Sequence, residues 1–223
     1  MKYSFTSAEQ TQRFLKHLKQ ELAATLPGVE AHLRLAPEIR IQGLKTGDIA
    51  PNAMQSAVLI LLYPVDGSLK TVVILRNEYD GMHSGQISLP GGKAEDTDID
   101  FEYTALREAH EEIGIDTSKI EIIGQLSRFY VRPSNFIVYP FVGFCWQQPL
   151  FSPDPVEVQR IIEIDIFDEI RYDKIISRTL TFKNHASVTA PGFVVGGEFM
   201  WGATAMMISE LIQVLNQAAE ISA

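Results

Sequence analysis

The sequence contains very little cysteine and no long apolar segment. Its single cysteine, Cys145, cannot form a disulfide within the chain, and it lies in the apolar run 141–146, where a buried structural thiol is favoured over a nucleophile. No run reaches the about 18 apolar residues of a membrane span, and the N-terminus lacks the basic and apolar regions of a signal peptide. We therefore expect a cytoplasmic protein with no membrane partner.

Positive charge is also scarce. The chain has 19 Lys and Arg against 28 Asp and Glu, which gives a formal net charge of −9. A nucleic-acid partner normally requires a basic patch, so we expect none. An anionic small molecule would need a metal ion or a few placed arginines to offset the negative field. The length of 223 residues and the 46% hydrophobic content are sufficient for one sizeable core.

Negative charge is concentrated at the end of one predicted helix. Glu108, Glu111 and Glu112 lie three and four residues apart, so they share one face. The opposite, buried face is predicted from Ala105, Leu106, Ala109 and Ile113, and Gly114 follows where a left-handed C-cap is expected. Three glutamates alone are also typical of a solvated acidic face. A hard divalent cation would remove their mutual repulsion, because Mg²⁺ and Mn²⁺ take carboxylate oxygens as ligands.

A glycine-containing turn precedes this helix. Pro90, Gly91 and Gly92 form a sequence whose backbone can approach a ligand closely. The segment 92–115 resembles the Nudix box, usually written G-x5-E-x7-R-E-U-x-E-E-x-G-U with U an aliphatic residue. Its second half matches at every position of 107–115. In the first half, Asp98 replaces the usual Glu, and eight residues instead of seven separate it from Arg107.

The residues upstream carry a second resemblance. Nudix enzymes that cleave coenzyme A have a motif approximating L-L-T-x-R-[SA]-x3-R-x3-G-x3-F-P-G-G, and Arg76, Gly85 and the segment 90–92 fall at its spacing. Leu89 replaces the Phe, and Asn77 stands where Ser or Ala is usual. Gly81 occupies the position of the second arginine, which removes one phosphate contact.

These resemblances imply a set of site residues. The glutamates Glu108, Glu111 and Glu112 and the Gly92 carbonyl would hold Mg²⁺ or Mn²⁺, with Glu111 as the catalytic base and Glu157 as the alternative base. Arg107 would be the structural partner of an acidic residue. Substrate-binding positions are assigned to the upstream arginine and the residues around the glycines: Arg76, Gly91, Gly92 and Lys93.

The predicted fold class is α/β, a Nudix-type α/β/α sandwich with a mixed central sheet and added N- and C-terminal helices. Residues 1–50 are predicted as an N-terminal helix and an extended connection, and residues 51–223 as the Nudix hydrolase domain. Helices are predicted over 7–24, with Ser7 as the N-cap, and over 202–217, with a short one at 167–170. A hairpin is predicted from strands 56–63 and 71–76, then a long loop over 77–92. Further strands are predicted at 120–126, 137–145, 160–166, 179–182 and 193–200.

The expected function is divalent-metal-dependent cleavage of the diphosphate of coenzyme A or its derivatives. By family resemblance, the products are adenosine 3′,5′-bisphosphate and 4′-phosphopantetheine. Two alternatives stay open: hydrolysis of another nucleoside diphosphate derivative, such as ADP-ribose or NADH, and a non-catalytic Nudix-fold binding module. The apolar C-terminal helix packs into the body or against a partner subunit, which leaves a homodimer open.

Overall fold

The computed structural model describes residues 5–78, 85–182 and 186–222. The α-helices in these ranges are α1 (Ala8–Ala23), α2 (Val29–Leu33), α3 (Glu38–Thr46), α4 (Phe101–Ile113), α5 (Ile166–Glu169) and α6 (Gly202–Ser222). The strands are β1 (Met54–Val65), β2 (Ser68–Arg76), β3 (Ile87–Ser88), β4 (Gly91–Lys93), β5 (Glu121–Gln125), β6 (Phe129–Val131), β7 (Phe136–Phe144), β8 (Val158–Asp165), β9 (Ile176–Thr181), β10 (Ser187–Val195) and β11 (Glu198–Trp201).

The central sheet is organised around β1. This strand pairs parallel with β7 and antiparallel with β2 and β4. Strand β2 continues the sheet through β8 and β3, and β7 continues it through β5 and β6. Residues 59–63 of β1 are all buried, as expected for an apolar strand covered on both faces.

Helices cover both faces of this sheet. On one face, α4 packs Ala105, Ala109 and Ile113 into a cluster with alternate β1 residues such as Leu59 and Leu61. On the other face, α1 and α6 share a larger cluster with the intervening β1 residues. This alternation follows from the two-residue period of a strand. The predicted α/β sandwich with a mixed sheet is therefore confirmed.

The predicted helix boundaries agree closely with the structure where a capping signal was present. Ser7 accepts a hydrogen bond from the Gln10 amide at 3.2 Å and begins α1. Gly114 adopts φ 66° and ends α4 in the left-handed conformation. Helix α6 is longer than predicted and packs against α1 within the chain, with Leu211 and Leu215 fully buried. No helix in the described ranges is long and apolar enough to cross a membrane.

The extended connection predicted within residues 1–50 is wrong over 38–46, where α3 forms a helix of nine residues. Ile39 is exposed, whereas Ile41 and Leu44 pack partly against the core, so α3 has no continuous apolar stripe. Gly47, at φ 66°, ends the helix as a left-handed C-cap. The predicted division between residues 1–50 and 51–223 stays a prediction.

Two other predictions also need correction. The single strand predicted at 193–200 is a hairpin, because Gly196 and Gly197 adopt φ 55° and 86° and turn β10 into β11. Together with β9, these strands form a separate three-stranded sheet. The predicted loop 77–92 contains the short strands β3 and β4, so the glycine segment is part of the sheet. Gly81, the departure from the coenzyme A motif, lies outside the described residues.

Candidate active site

Two glycines allow β4 to approach its neighbours closely. Gly91 has φ 149°, and a Cβ atom there would lie 2.3 Å from the Ala57 carbonyl oxygen on β1. A Cβ atom at Gly92 would lie 2.3 Å from Oε2 of Glu108 on α4. Real Cβ contacts are never this short, so β4 can lie against the backbone of β1 only with glycine at position 91, whereas a side chain at position 92 would displace the Glu108 carboxylate.

Glu112 is the most buried of the predicted metal ligands. Its side chain is 2% exposed, its Oε1 accepts a hydrogen bond from Arg76 Nη1 at 2.9 Å, and its Oε2 accepts one from the Gly91 amide at 2.8 Å. Burial raises the pKa of Glu112 to about 7, although these two donors act in the opposite direction. The nearby carboxylates of Glu157 and Glu108 raise this pKa further.

Arg107 is held by the residue that departs from the family motif. Its Nε and Nη2 donate to Oδ1 and Oδ2 of Asp98, each at 2.9 Å, and the Asp98 side chain is 3% exposed. Thr104 and the Glu95 amide also donate to Asp98. The hydrogen bonds from Arg107 outweigh burial and hold the pKa of Asp98 well below its usual range. Asp98 therefore occupies the place of the acidic partner expected for Arg107.

The same guanidinium contacts the other two glutamates. Arg107 Nη1 donates to Glu108 Oε1 at 2.9 Å and to Glu111 Oε2 at 3.1 Å. Burial raises the pKa of Glu108, Arg107 lowers it, and the charges of Glu111 and Glu157 raise it. Glu111 is the outermost of the three glutamates, with its side chain 57% exposed. Arg107 thus offsets the like-charge repulsion along this face of α4.

Glu157 reaches the site through the pairing of β2 with β8. The backbone N–H of Asn77 donates a hydrogen bond to the backbone carbonyl of Glu157 at 3.0 Å, just beyond the last paired residues of these strands. This brings the Glu157 carboxylate to 3.7 Å from Arg76 Nη2, with its side chain 51% exposed. Arg76, predicted to bind substrate, therefore bridges Glu112 and Glu157.

The chemistry of these donors fits a hard divalent cation. The site contains five carboxylates, of Asp98, Glu108, Glu111, Glu112 and Glu157, and the ion pairs around them involve two guanidiniums. In the described ranges, no three His, Cys, Asp or Glu side chains are arranged as a metal-binding group. The reason is that Glu112 faces Arg76 and Gly91, whereas Glu108 and Glu111 face Arg107. Convergence on one ion therefore requires the exposed Glu111 or the half-buried Glu108 to leave Arg107.

A cleft of about 1560 Å³ opens beside β4. It lies between β4, the end of β6, the first turn of α3 and the three-stranded sheet. Among the described residues, its charged lining comprises one acidic side chain, Glu78, and four basic ones: Arg40, Arg76, Lys93 and Arg132. The cleft is therefore locally basic in a chain of net charge −9.

Some residues that line this cleft could not be predicted from the sequence. The sequence does not identify Arg40 and Phe182 as cleft residues, because their positions depend on α3 and β9, which are far apart in sequence. Arg132, which follows β6, also lines the cleft. Lys93, predicted to bind substrate, lines the cleft and accepts a hydrogen bond from Arg107 Nη2 at its carbonyl.

The chain is similar in sequence to known proteins that share one domain family. The profile of the NUDIX domain family matches residues 53–179. Nudix hydrolase 22, chloroplastic, of Arabidopsis thaliana is 40% identical over 112 residues, which cover 49% of this chain and only 37% of that protein. The uncharacterized Nudix hydrolase NudL of Yersinia enterocolitica is 31% identical over 79% of this chain and 89% of that protein.

The name of a third relative states the reaction that this relative catalyses. The mitochondrial coenzyme A diphosphatase NUDT8 of Mus musculus is 31% identical over 163 residues, which cover 72% of this chain and 77% of that protein. The family profile includes the glycine strand, all three glutamates of α4 and Glu157. The chain therefore belongs to the Nudix hydrolase family.

Proposed function

We propose that this protein is a divalent-metal-dependent pyrophosphohydrolase that cleaves coenzyme A or its derivatives to adenosine 3′,5′-bisphosphate and 4′-phosphopantetheine. The main support for this proposal is that the carboxylate end of α4 lies next to a basic cleft, with Gly91 and Gly92 between them. This arrangement supports a metal site next to an anion-binding surface. The alignment with the mouse coenzyme A diphosphatase supports the choice of substrate.

Nudix hydrolases generally use divalent metals. In this chain, Glu108 and Glu112, with Glu111 and the Gly92 carbonyl, would hold Mg²⁺ or Mn²⁺, because all of them supply hard oxygen donors. When bound, such an ion neutralises diphosphate oxygens and lowers the pKa of a coordinated water. Glu112 is oriented for this role by the Gly91 amide and by Arg76.

The chain's own residues then position the diphosphate. Gly91 and Gly92 line the cleft, so the backbone of β4 is accessible to phosphate oxygens there. Arg76 and Lys93 line the cleft there and offset the negative charge of the substrate. A basic surface next to an acidic helix end therefore suits a diphosphate that must contact both.

We assign the proton acceptor to Glu111. The oxygen of a water molecule attacks one phosphorus and forms a bond to it, while the bond from that phosphorus to the bridging oxygen breaks. One phosphate ester leaves, and the proton of the water passes to the Glu111 carboxylate. Glu111 is suited to exchange its partner because its side chain is 57% exposed and, among the described residues, is held by Arg107. Glu157, which is 51% exposed and paired with Arg76, is the alternative acceptor.

A product-release assay tests the proposal. Coenzyme A, ADP-ribose and NADH are compared in the presence of Mg²⁺ or Mn²⁺ and in the presence of a chelator. We expect metal-dependent release of adenosine 3′,5′-bisphosphate from coenzyme A at the highest kcat/KM of the three. Preference for ADP-ribose or NADH would reject coenzyme A as substrate. Folded protein that cleaves none of them would favour a non-catalytic binding module.

Two further sequence-based expectations remain predictions. The Arabidopsis relative is named as chloroplastic and the mouse relative as mitochondrial, and a cytoplasmic location of this chain stays a prediction. A homodimer also remains a prediction. The apolar surface of α6, which suggested a partner subunit, is buried within the chain against α1 and the sheet.

A further inference from the structure

The cleft has a second basic wall away from the glycines. Arg40 lies in the first turn of α3, and Arg132 follows β6; both line the cleft. The Arg132 guanidinium packs against α3 at Gly43, where a Cβ atom would lie 3.6 Å from its Nε. Residues 40 and 43 are three apart and share one face of the helix. The two guanidiniums therefore belong to one wall.

Neither of these arginines has an acidic partner among the described residues. The ion pairs in those ranges involve other arginines, including Arg76 and Arg107 at the carboxylate end of the cleft. Burial lowers the pKa of Arg40, which reflects the loss of water around its charge. A partly buried cation is stabilised when a counter-ion is supplied. Because both guanidiniums line the same cleft and neither faces a carboxylate of the described residues, that wall of the cleft favours an external anion.

The N-terminus of α3 adds to the positive charge of this cleft wall. Its N-cap, Pro37, makes no side-chain capping bond, and Pro37 and Ile39 line the cleft together with Arg40. The first amides of a helix are unsatisfied by the helix itself and carry partial positive charge. The N-terminus of this nine-residue helix therefore favours an anion on the wall where the two guanidiniums lie.

We propose that Arg40 and Arg132 form a second anion subsite, which binds a phosphate monoester that the substrate carries apart from its scissile diphosphate. If the proposed function holds, this group is the 3′-phosphate of coenzyme A. The subsite and the glycine strand line one continuous cleft of about 1560 Å³, so one elongated molecule can reach both. Guanidinium groups suit this role because they bind phosphate bidentately. The subsite selects 3′-phosphorylated nucleotides over otherwise identical molecules without that group.

Equilibrium binding tests the subsite independently of catalysis. Adenosine 3′,5′-bisphosphate and adenosine 5′-monophosphate are titrated calorimetrically into the metal-free wild-type protein, Arg40→Gln, Arg132→Gln and Arg13→Gln. Arg13 is an exposed residue of α1, so its variant makes the same charge change away from the cleft. We expect wild type and Arg13→Gln to prefer the bisphosphate by about tenfold or more, which corresponds to about 1.4 kcal/mol. Each cleft variant should lose that preference. A wild type without the preference, or cleft variants that keep it, would overturn the subsite.

Kinetics separate this inference from the proposed function. With coenzyme A, Arg40→Gln and Arg132→Gln should raise KM about tenfold at nearly unchanged kcat, because they remove binding that is equal in the ground and transition states. With 3′-dephospho-coenzyme A, their KM should equal that of wild type. If wild type cleaves neither compound, the proposed function fails, and the bisphosphate titration still decides the subsite. If wild type cleaves both and the variants change neither KM, the subsite fails alone. Arg132 is exposed, so its variant is expected to fold even if Arg40→Gln does not.

Discussion

Asp98 and Arg107 are joined by two parallel hydrogen bonds, Nε to Oδ1 and Nη2 to Oδ2, each 2.9 Å long. Arg107 matches the family motif, whereas Asp98 departs from it. The aspartate side chain is one methylene shorter than the usual glutamate, and one extra residue separates it from Arg107. Helix α4 begins soon after Asp98, with Asp100 as its N-cap. The shorter side chain and the longer spacing therefore still allow a bidentate pair in this chain.

Removing the charge of Asp98 should destabilise the protein. Asp98→Asn breaks a nearly buried bidentate pair and leaves Arg107 without its main partner, so we expect a loss of about 2–4 kcal/mol in the free energy of unfolding. Urea unfolding measures this loss. Asp96→Asn, an exposed change in the same loop, should have an effect within about 0.5 kcal/mol. Equal effects of the two substitutions would contradict the structural role of Asp98.

The two glycines of β4 should respond differently to alanine. At Gly91, the new Cβ would collide with the Ala57 carbonyl oxygen, which belongs to the buried sheet. At Gly92, it would collide with the Glu108 carboxylate, which is the end of a flexible side chain. We therefore expect Gly91→Ala to reduce thermal stability strongly, and Gly92→Ala to fold but to lose about 100-fold or more in kcat/KM by displacing a metal ligand. A folded, fully active Gly92→Ala would contradict the assignment of Glu108.

Stability of the metal-free protein should fall as the pH rises from about 4.5 to about 7. Burial raises the pKa of Glu112 from 4.5 to about 7 in the folded state, so over this interval the folded state binds more protons than the unfolded state, and the free energy of unfolding decreases with pH. The contribution is about 3 kcal/mol at most. Urea unfolding at pH 5 and pH 8 in a chelator measures it.

Glu112→Gln provides the control for this pH dependence, because its side chain does not titrate. We expect the decrease between pH 5 and pH 8 to be clearly smaller in Glu112→Gln than in wild type. An unchanged decrease would assign the effect to other groups.

Substitution of the two exposed glutamates should identify the proton acceptor. Glu111→Gln should lower kcat by about 10²–10⁴-fold, which is the usual contribution of a general base. Glu157→Gln should have a much smaller effect on kcat, because the Glu157 carboxylate is paired with Arg76, with 3.7 Å between its Oε2 and Arg76 Nη2. The reverse order of effects would transfer the role to Glu157.

The parts of the fold that could be predicted depend on local patterns. The apolar run of β1, the Ser7 cap of α1 and the Gly114 cap of α4 each contain their signal within a few residues. The carboxylate face of α4 follows from helical spacing in the same way. The turn at Gly196 and Gly197 had a usable signal as well, since paired glycines favour hairpins.

The remaining parts depend on contacts between distant segments. Helix α3 could not be predicted because its apolar residues do not form one stripe. The position of Glu157 depends on the pairing of β8 with β2, and that of Arg40 on the packing of α3 beside the three-stranded sheet. The buried pair of His32 and Glu210 joins α2 to α6 at 3.0 Å. No spacing rule relates these residues, so the sequence carried no sign of this pair.

Binding of Mn²⁺ to the carboxylate end of α4 tests the central claim most directly. Electron paramagnetic resonance counts bound Mn²⁺ in wild type, Glu112→Gln and Glu102→Gln, the last being an exposed change on the same helix. We predict that wild type and Glu102→Gln bind Mn²⁺ and release adenosine 3′,5′-bisphosphate from coenzyme A, whereas folded Glu112→Gln does neither. Equal Mn²⁺ binding by Glu112→Gln, or wild-type protein that binds no Mn²⁺, would contradict this account of the site.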